Sequence, residues 1–339
     1  MHKSTRQRPK FFLLILVLLG ASLLNISLGS VDIPFDQTLK AILGQPLKNA
    51  SWEYILYSYR LPKTLTSILV GGGLALSGLL MQTLFRNPLA GPFVLGISSG
   101  ASLGAAFLLM GSTILGTLIF TDLSLVVAAS IGSFLVLLVV VLVANRVRDT
   151  MTLLIIGLMF GSITSAIVSV LAYFSEAEQL QRFIFWSYGS VGNLTWKQNG
   201  LLGGIVSIGL LLSIFQIKSL NALLLGEHYA QSMGIQLKKS RLGIIAATGL
   251  LAGSITAFAG PIAFVGLAVP HLSRQIFNTM EHKILVPAVF LYGAILMLFC
   301  DTLAQLPSSA KVLPINAITS IVGAPVVIWL LVRKRKIFF

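Results

Sequence analysis

The sequence predicts an all-α polytopic membrane protein, built as one transmembrane domain over residues 1–339. Hydrophobic residues make up 56% of the chain and charged residues only 10%, whereas a soluble domain carries roughly 25% charged residues. Apolar runs of ~20 residues, each long enough to cross a hydrocarbon core, recur from end to end. A β-barrel would instead show alternating segments of ~10 residues. No stretch is polar or long enough to form a separate soluble domain.

The apolar runs define about ten predicted membrane helices. They lie at residues 11–29, 63–84, 93–110, 123–145, 151–173, 198–216, 240–259, 264–277, 284–304 and 316–332. The first run follows a basic N-terminus, as in a signal peptide, but it is longer and no small-residue cleavage site follows it. We therefore expect it to be retained as the first helix. Residues 30–61 and 174–197 are expected to form outer loops, the second with a short re-entrant piece at WSYGSVG.

The placement of the basic residues predicts the topology. With the N-terminus inside, 17 of the 24 Lys and Arg residues flank the inner ends of the helices, and seven flank the outer ends. The positive-inside rule therefore predicts a multi-pass protein of the cell (inner) membrane with both termini in the cytoplasm. The net charge of +14 is thus a topology signal and does not indicate nucleic acid binding. The single cysteine, Cys300, excludes an internal disulfide.

The second predicted helix is rich in small residues, including Gly71 to Gly73 and Gly78. Small residues on a membrane helix let a neighbouring backbone approach closely, so these glycines predict tight helix packing. The chain contains no GxxxxGK[ST] motif, which excludes nucleotide binding by a phosphate loop.

Two short apolar segments are interrupted by Gly and Pro at matching places in the chain. One follows Gly91-Pro92 and the other follows Gly260-Pro261, after helices predicted to run in opposite directions. Irregular backbone at membrane depth is tolerated only inside protein or beside a wet cavity. The pair therefore predicts an inverted repeat of helices two to five and seven to ten, with a pathway between the halves. The candidate pathway residues are Asn87, Pro88, Gly91, Pro92, Ser98, Ser99, Gly260, Pro261, Gly266 and Pro270.

Polar residues at the outer helix ends allow two interpretations each. Arg60 and Lys63 flank a proline at the start of the second predicted helix. Long cationic side chains there either anchor the helix by snorkelling or have a function. Asp301 is the acid that lies deepest in an apolar run, and it is either functional or a paired structural carboxylate.

A semi-polar segment at residues 220–237, LNALLLGEHYAQSMGIQL, lies between two long apolar runs. Gly226 is suited to a turn before a helix, and Gly234 to a left-handed C-cap after it. Glu227 lies in the first turn, where a negative charge suits the helix dipole. The sequence therefore predicts a short cytoplasmic helix, which is either an ordinary interfacial helix or a contact site.

Four stretches of the chain match the pattern of a known family. In order they read RLPKTLTSILVGGGLALSGLLMQTLFRNPLAGPFVLGISSGA, LLLGEHYAQSMGI, AGPIAFVGLAVPHLSR and ITSIVGAPVVIWLL. Together they resemble the permease subunits of type II ABC importers, which carry ferric siderophores, haem or cobalamin. The resemblance covers nearly the whole chain and implies a ten-helix permease. It also implies a second permease copy (identical or closely related), two ATPase subunits and an extracytoplasmic substrate-binding protein.

The resemblance implies roles for individual residues. Arg60 and Lys63 match basic positions of the family that dock acidic residues of the binding protein. A cytoplasmic gate falls on Thr150 and Met151. ATPase coupling falls on Leu225, Gly226, Glu227, Ala230, Met233 and Gly234.

The chain departs from the family pattern near its C-terminal end. A third docking arginine, four residues after Asp301, is Gln305 here, and Lys311 is a candidate to replace its charge. The family's ELPxG motif reads Val312 to Asn316, so its acid and its glycine are lost. These departures put the details of substrate or partner contacts in doubt.

The resulting hypothesis is the membrane subunit of an ATP-driven importer for an iron chelate. A ferric siderophore is the first candidate, and haem or cobalamin are alternatives. Such a permease is expected to have no catalytic residue, metal site or cofactor, because its partner hydrolyses ATP. The wall of its cavity is expected to lack strong fixed charge, so that a large chelate can leave.

Two other functional classes fit the sequence less well. An ion-coupled secondary transporter also uses inverted repeats, but it would be expected to bury carboxylates or histidines along its path. Here the acids lie mostly at the outer edge and the four histidines lie on inner flanks. A membrane-embedded enzyme needs a clustered nucleophile, base or metal constellation, and the sequence contains none.

Overall fold

The computed structural model describes residues 7–111, 121–147, 150–305 and 312–332. Every regular element in these ranges is helical, which confirms the predicted fold class. The α-helices are α1 (Arg8–Ser27), α2 (Phe35–Ile42), α3 (Ala50–Ile55), α4 (Leu61–Leu84), α5 (Ile97–Met110), α6 (Asp122–Arg146), α7 (Thr150–Phe174), α8 (Ala177–Ser187), α9 (Trp196–Phe215), α10 (Ile217–Leu224), α11 (Glu227–Ser232), α12 (Leu237–Ala259), α13 (Val265–Phe277), α14 (His282–Ala304) and α15 (Ile315–Val332). A π-helical turn, Leu56–Arg60, joins α3 to α4, and a 3₁₀ turn, Pro92–Leu95, precedes α5.

A helix lies at each of the ten predicted spans, although not all are long enough to cross a membrane. Within the described residues, seven helical stretches meet the length and composition of a span. Two further apolar helices are shorter, at Ile97–Met110 and Ile315–Trp329, and α13 has 13 residues. The count of ten spans therefore stays a prediction.

Helix α4 is the centre of the bundle, and every residue from 70 to 84 in it is buried. Its glycines allow three different helices to approach. A Cβ at Gly71 would overlap the backbone of Gly293 in α14, and a Cβ at Gly78 would overlap the carbonyl oxygen of Gly266 in α13. A Cβ at Gly73 would lie 2.6 Å from a methyl carbon of Ile255 in α12. The prediction of tight packing is confirmed.

The two interrupted segments end alike. The first passes from Gly91-Pro92 through a 3₁₀ turn to Gly96 (φ 73°), and the second passes from Gly260-Pro261 through an irregular stretch to Phe264 (φ 66°). A short helix, α5 or α13, follows at once. The segments also meet, because a Cβ on Gly266 would lie 2.8 Å from Pro92. This correspondence is consistent with the predicted inverted repeat, which remains a prediction.

Helix α1 lies on the outside of the bundle. Its Leu14 packs with Phe277 of α13 and Ala288 of α14. Near its start, the Lys10 ammonium donates to the carbonyl of Ile276 at 2.6 Å, which satisfies a carbonyl at the end of α13. Of its 20 residues, nine are exposed and only three are buried. This helix therefore has a wide apolar surface available to lipid.

Candidate functional site

The segment 220–237 forms two short helices, α10 and α11, separated by Gly226. Gly226 has φ 106° and ψ 157°, a conformation that a side chain would strain. At the other end, Gly234 is left-handed, and the N–H groups of Gly234 and Ile235 donate to Gln231 and Ala230 at 2.9 and 3.0 Å. These two bonds form a Schellman C-cap. Both glycine predictions are confirmed.

Polar contacts attach this segment to the membrane helices. The Glu227 carboxylate lies 2.6 Å from the guanidinium of Arg241 in α12. The Ser240 hydroxyl, also in α12, donates to Ser219 of α10 at 2.9 Å. Arg86, just beyond α4, extends its guanidinium to within 3.7 Å of a Cβ position on Gly226. These contacts join α10 and α11 directly to α12.

A buried histidine attaches the same segment to α14. The Asn221 side-chain oxygen in α10 accepts the His282 backbone N–H at 3.0 Å and lies 2.7 Å from its Nδ1. Because that oxygen can only accept, Nδ1 carries a proton, and Nε2 lies 2.9 Å from the Thr83 hydroxyl. His282 thus joins α10, α14 and α4. The sequence placed this histidine on an inner flank but gave no sign of its partners.

The exposed face of α11 differs in part from the predicted coupling residues. Leu225 and Met233 are exposed, at 62% and 58%, and Tyr229 between them is 53% exposed. Ala230 is fully buried, so it seats the helix and does not face outward. Tyr229, which was not among the predicted coupling residues, lies four residues before Met233 and so on the same side of this helix.

Arg60 is a buried residue with partners inside the chain. Its side chain is 7% exposed, and Nη1 donates to the carbonyls of Ile26 and Ser27 at 2.8 and 2.6 Å. Nη2 donates to the carbonyl of Val31. The guanidinium therefore satisfies the last carbonyls of α1. Its predicted role in docking a binding protein stays a prediction.

Lys63 and Asp301 form an ion pair, with 3.1 Å between Nζ and Oδ1 and side chains 17% and 3% exposed. The other carboxylate oxygen accepts from Asn25 at 2.8 Å and from Gln305 at 3.1 Å. Asn25 in turn accepts from Thr64 at 2.7 Å. The cluster joins α1, α4 and α14, which supports the structural interpretation of Asp301. Among the described residues, Lys63 is the cation that contacts Asp301, and Gln305 adds a neutral hydrogen bond to the same carboxylate.

The other departures from the family pattern have different surroundings. The Asn316 side-chain oxygen accepts the Ala263 N–H at 3.0 Å, so it fixes the interrupted segment before α13 in a way that a glycine could not. Val312 is 61% exposed. Lys311 lies outside the described residues.

We expect the Lys63–Asp301 pair to contribute mainly to stability. Removing one partner of a buried pair leaves the other charge uncompensated, so Lys63→Met or Asp301→Leu alone should lower the free energy of unfolding by about 3 kcal/mol. The double variant should lose less than the sum. Thermal unfolding of the purified protein measures both effects. Lys197→Met, at an exposed lysine in α9, is the control, and strictly additive losses would contradict the pairing.

One open cavity of 460 Å³ lies between α7 and the segment that contains α5. Its lining residues are all uncharged: Phe93, Gly96, Ser99, Gly157, Leu158, Gly161, Ser162 and Ser165. Close packing of α7 forms its floor, since a Cβ on Gly157 would overlap the carbonyl oxygen of Val94. Of the predicted pathway serines, Ser99 lines the cavity, while Ser98 points inward to Thr256 at 3.0 Å.

The remaining predicted pathway residues do not form one cluster: Gly91, Gly266 and Pro270 lie in or beside α13, whereas Gly260 packs against the backbone of Trp186 and Gly189. Pro88 accepts a hydrogen bond at 2.9 Å from His271 of α13 through its carbonyl, and Asn87 accepts the Leu89 N–H at 2.9 Å. Pro270 is buried within α13. At the predicted gate, Met151 is 57% exposed, and the backbone of Thr150 begins α7. The gate itself stays a prediction.

Comparisons with known proteins agree with one another. The profile of the FecCD transport family matches residues 14–333. The vitamin B12 import system permease protein of Klebsiella pneumoniae is 37% identical over 330 residues, which cover 97% of this chain and 95% of that protein. Its counterpart in Escherichia coli O9:H4 is 37% identical over 284 residues, 84% of this chain and 85% of that protein.

Solved structures show the same fold. An inward-facing conformation of a metal-chelate type ABC transporter superposes with a TM-score of 0.84 at 29% identity, over 96% of this chain and all of that chain. PsaBC from Streptococcus pneumoniae, solved with a Fab, matches with a TM-score of 0.51 at 14% identity, over 79% of this chain and 89% of that chain.

Proposed function

Since the chain belongs to the FecCD transport family and is the permease of an ABC importer, we propose that it carries a bulky metal chelate into the cell. A ferric siderophore is the first candidate, because it is the commonest cargo of the family that the sequence resembles. Cobalamin is the second, because relatives at 37% identity are named as vitamin B12 import permeases. Haem is a further alternative implied by the motifs.

The uncharged cavity beside α7 carries this proposal. Glycine and serine residues, among them Ser99 and Ser162, offer hydroxyl groups and backbone but no fixed charge. A wall of this kind makes weak contacts with many parts of a large ligand and holds no part of it tightly. A chelate that must enter from one side and leave on the other needs such weak binding, since tight binding would slow its release.

The coupling of ATP hydrolysis to transport is assigned to the segment 220–237. We propose that the exposed face formed by Leu225, Tyr229 and Met233 contacts a partner ATPase. The Glu227–Arg241 pair and the His282 contacts attach that face to α12 and α14. Closure of the ATPases would then move these helices as a rigid body, which opens the cavity to one side or the other.

The remaining partners follow from the same proposal. A second permease copy would complete the pathway, with two ATPase subunits on the cytoplasmic side. An extracytoplasmic binding protein would deliver the chelate. Docking by Arg60 or Lys63 would require these side chains to leave their present partners, so exposed cations elsewhere on the outer loops are also candidates.

Stimulation of ATP hydrolysis tests the proposal. The permease would be reconstituted with its ATPase and assayed with binding protein loaded with a ferric siderophore, cobalamin or haem. We expect one loaded binding protein to raise the ATPase rate several-fold and the unloaded form to raise it less. Stimulation by cobalamin alone would replace the first candidate by the second. Failure to assemble with any ATPase would overturn the importer function.

A further inference from the structure

Helix α2 has its apolar side on the outside. Its buried residues are Gln37, Thr38 and Ala41, of which the first two are polar. Its exposed residues include four large apolar side chains, each between 42% and 64% exposed: Phe35, Leu39, Ile42 and Leu43. These four recur at a spacing of four, three and one, so they share one face of the helix. An amphipathic helix on a water-exposed loop instead turns its apolar side to the protein core and its polar side to water.

The position of α2 is fixed by contacts on its polar side. Ala41 packs in a small cluster with Ile26 at the end of α1, Ile33, and Leu56 before α4. The Tyr57 hydroxyl donates to the Ala41 carbonyl at 2.6 Å, and the Gln37 side chain accepts the Lys48 N–H at 3.3 Å. The loop is therefore a folded unit that presents the apolar face of α2 in a defined direction.

The surroundings of this face are those of a membrane interface. Other exposed apolar side chains lie just before α2 in the chain: Leu24 near the end of α1 is 57% exposed, and Val31 is 43% exposed. On the same loop, Tyr54 and Tyr59 are 61% and 55% exposed and lie ring to ring at 5.7 Å. Tyrosine is enriched where a membrane meets water, because its ring is apolar and its hydroxyl is polar.

We propose that α2 is an interfacial anchor that inserts Phe35, Leu39, Ile42 and Leu43 into the acyl-chain boundary of the outer leaflet. An interfacial helix of this kind buries its apolar side among lipid chains while its polar side remains outside them. Here the loop itself covers the polar side. The anchor holds the loop between α1 and α4 against the bilayer. It thereby sets the positions of Arg60 and Lys63, which follow the loop in the chain.

A protein partner fits this face less well than lipid. The four apolar side chains carry no charge, and the exposed charges of the same loop are mixed, with Asp32, Asp36 and Glu53 beside Lys48, so the loop offers no basic patch to a binding protein that docks through acidic residues. Helix α1, which contacts α2, also has a wide apolar surface that needs lipid. This inference does not depend on which chelate is carried.

Spin labels on the face test the anchor. The native Cys300 is buried, so Cys300→Ala gives a background for Leu39→Cys and Ile42→Cys, both at exposed positions. The full chain would be placed in vesicles of phosphatidylethanolamine and phosphatidylglycerol, and collisions of the label with oxygen and with a water-soluble nickel chelate would be compared. We expect the oxygen-to-nickel ratio at both sites to exceed severalfold that of Ser51→Cys, an exposed control on α3.

Two outcomes would overturn the anchor. One is an oxygen-to-nickel ratio at positions 39 and 42 equal to that at position 51. The other is a water-like ratio together with collision rates of both reagents that fall only when the loaded binding protein is added. That result would make the face a protein contact. A second variant tests whether the apolar side chains cause the insertion. When Leu39→Asp and Ile42→Asp are combined with a label at Leu43→Cys, the label should show a water-like ratio. An unchanged ratio there would also contradict insertion by this face.

Discussion

Replacing Gly78 by alanine is expected to lower the stability of the protein more than the same change at helical glycines that have space for a Cβ atom. A Cβ at Gly78 would overlap the carbonyl oxygen of Gly266, and a backbone atom cannot rotate away as a side chain can. Helices α4 and α13 would have to separate at the centre of the bundle. Overpacking of this kind costs about 1–3 kcal/mol and occasionally more, and we expect the upper end here.

A graded series measures this effect. At Gly73 the obstacle is a methyl carbon of Ile255 at 2.6 Å, which can move, and at Gly204 nothing lies within 4 Å. The midpoint of thermal unfolding in detergent should therefore fall little or not at all for Gly204→Ala, more for Gly73→Ala, and most for Gly78→Ala. Equal midpoints for Gly78→Ala and Gly204→Ala would show that α4 and α13 do not pack as described.

The Gly78 contact lies at the carbonyl group that Pro270 leaves without a helical partner. Pro270 has no N–H, so the carbonyl of Gly266, four residues earlier, loses its usual helical partner. Gly78 lies against that carbonyl, and Pro92 of the other interrupted segment lies beside Gly266. The two interruptions and the central helix therefore form one contact. A substitution at Gly78 is expected to disturb the predicted pathway elements together with the stability.

The sequence predicted the fold class because the length and spacing of apolar runs depend only on crossing a bilayer. It also predicted the glycines of α4 and the turn at Gly226, since few other residues allow a close approach or a positive φ. These features are local and are imposed by backbone geometry. They could be read without knowing which helices are neighbours.

The sequence could not predict which residues the long polar side chains contact. Asn25, Lys63 and Asp301 are far apart in the chain and meet only because α1, α4 and α14 pack together. The same holds for Asn221 and His282. Helix α2 was expected to be part of an outer loop, because it has eight residues and its hydrophobic pattern gives no sign of which face is covered.

Replacing Gly226 by proline is expected to abolish the stimulation of ATP hydrolysis by the loaded binding protein, at least a tenfold loss, while the protein still inserts. Proline fixes φ near −65°, whereas Gly226 has φ 106°. Proline would also remove the N–H that donates to the Leu223 carbonyl at 3.1 Å. The turn between α10 and α11 could not form, and α11 would no longer present Tyr229 and Met233 in a fixed direction.

Gly234→Asn is the matched control for this change. Asparagine tolerates a left-handed conformation, and the Schellman bonds use only backbone N–H groups, so α11 should keep its end and its coupling. The comparison separates the loss of one defined turn from a general effect of altering the segment. Full stimulation in the Gly226→Pro variant would exclude α11 from coupling, and the contact with the ATPase would then have to lie elsewhere on the cytoplasmic side. Loss of stimulation in both variants would instead show that coupling depends on the whole segment and not on the Gly226 turn.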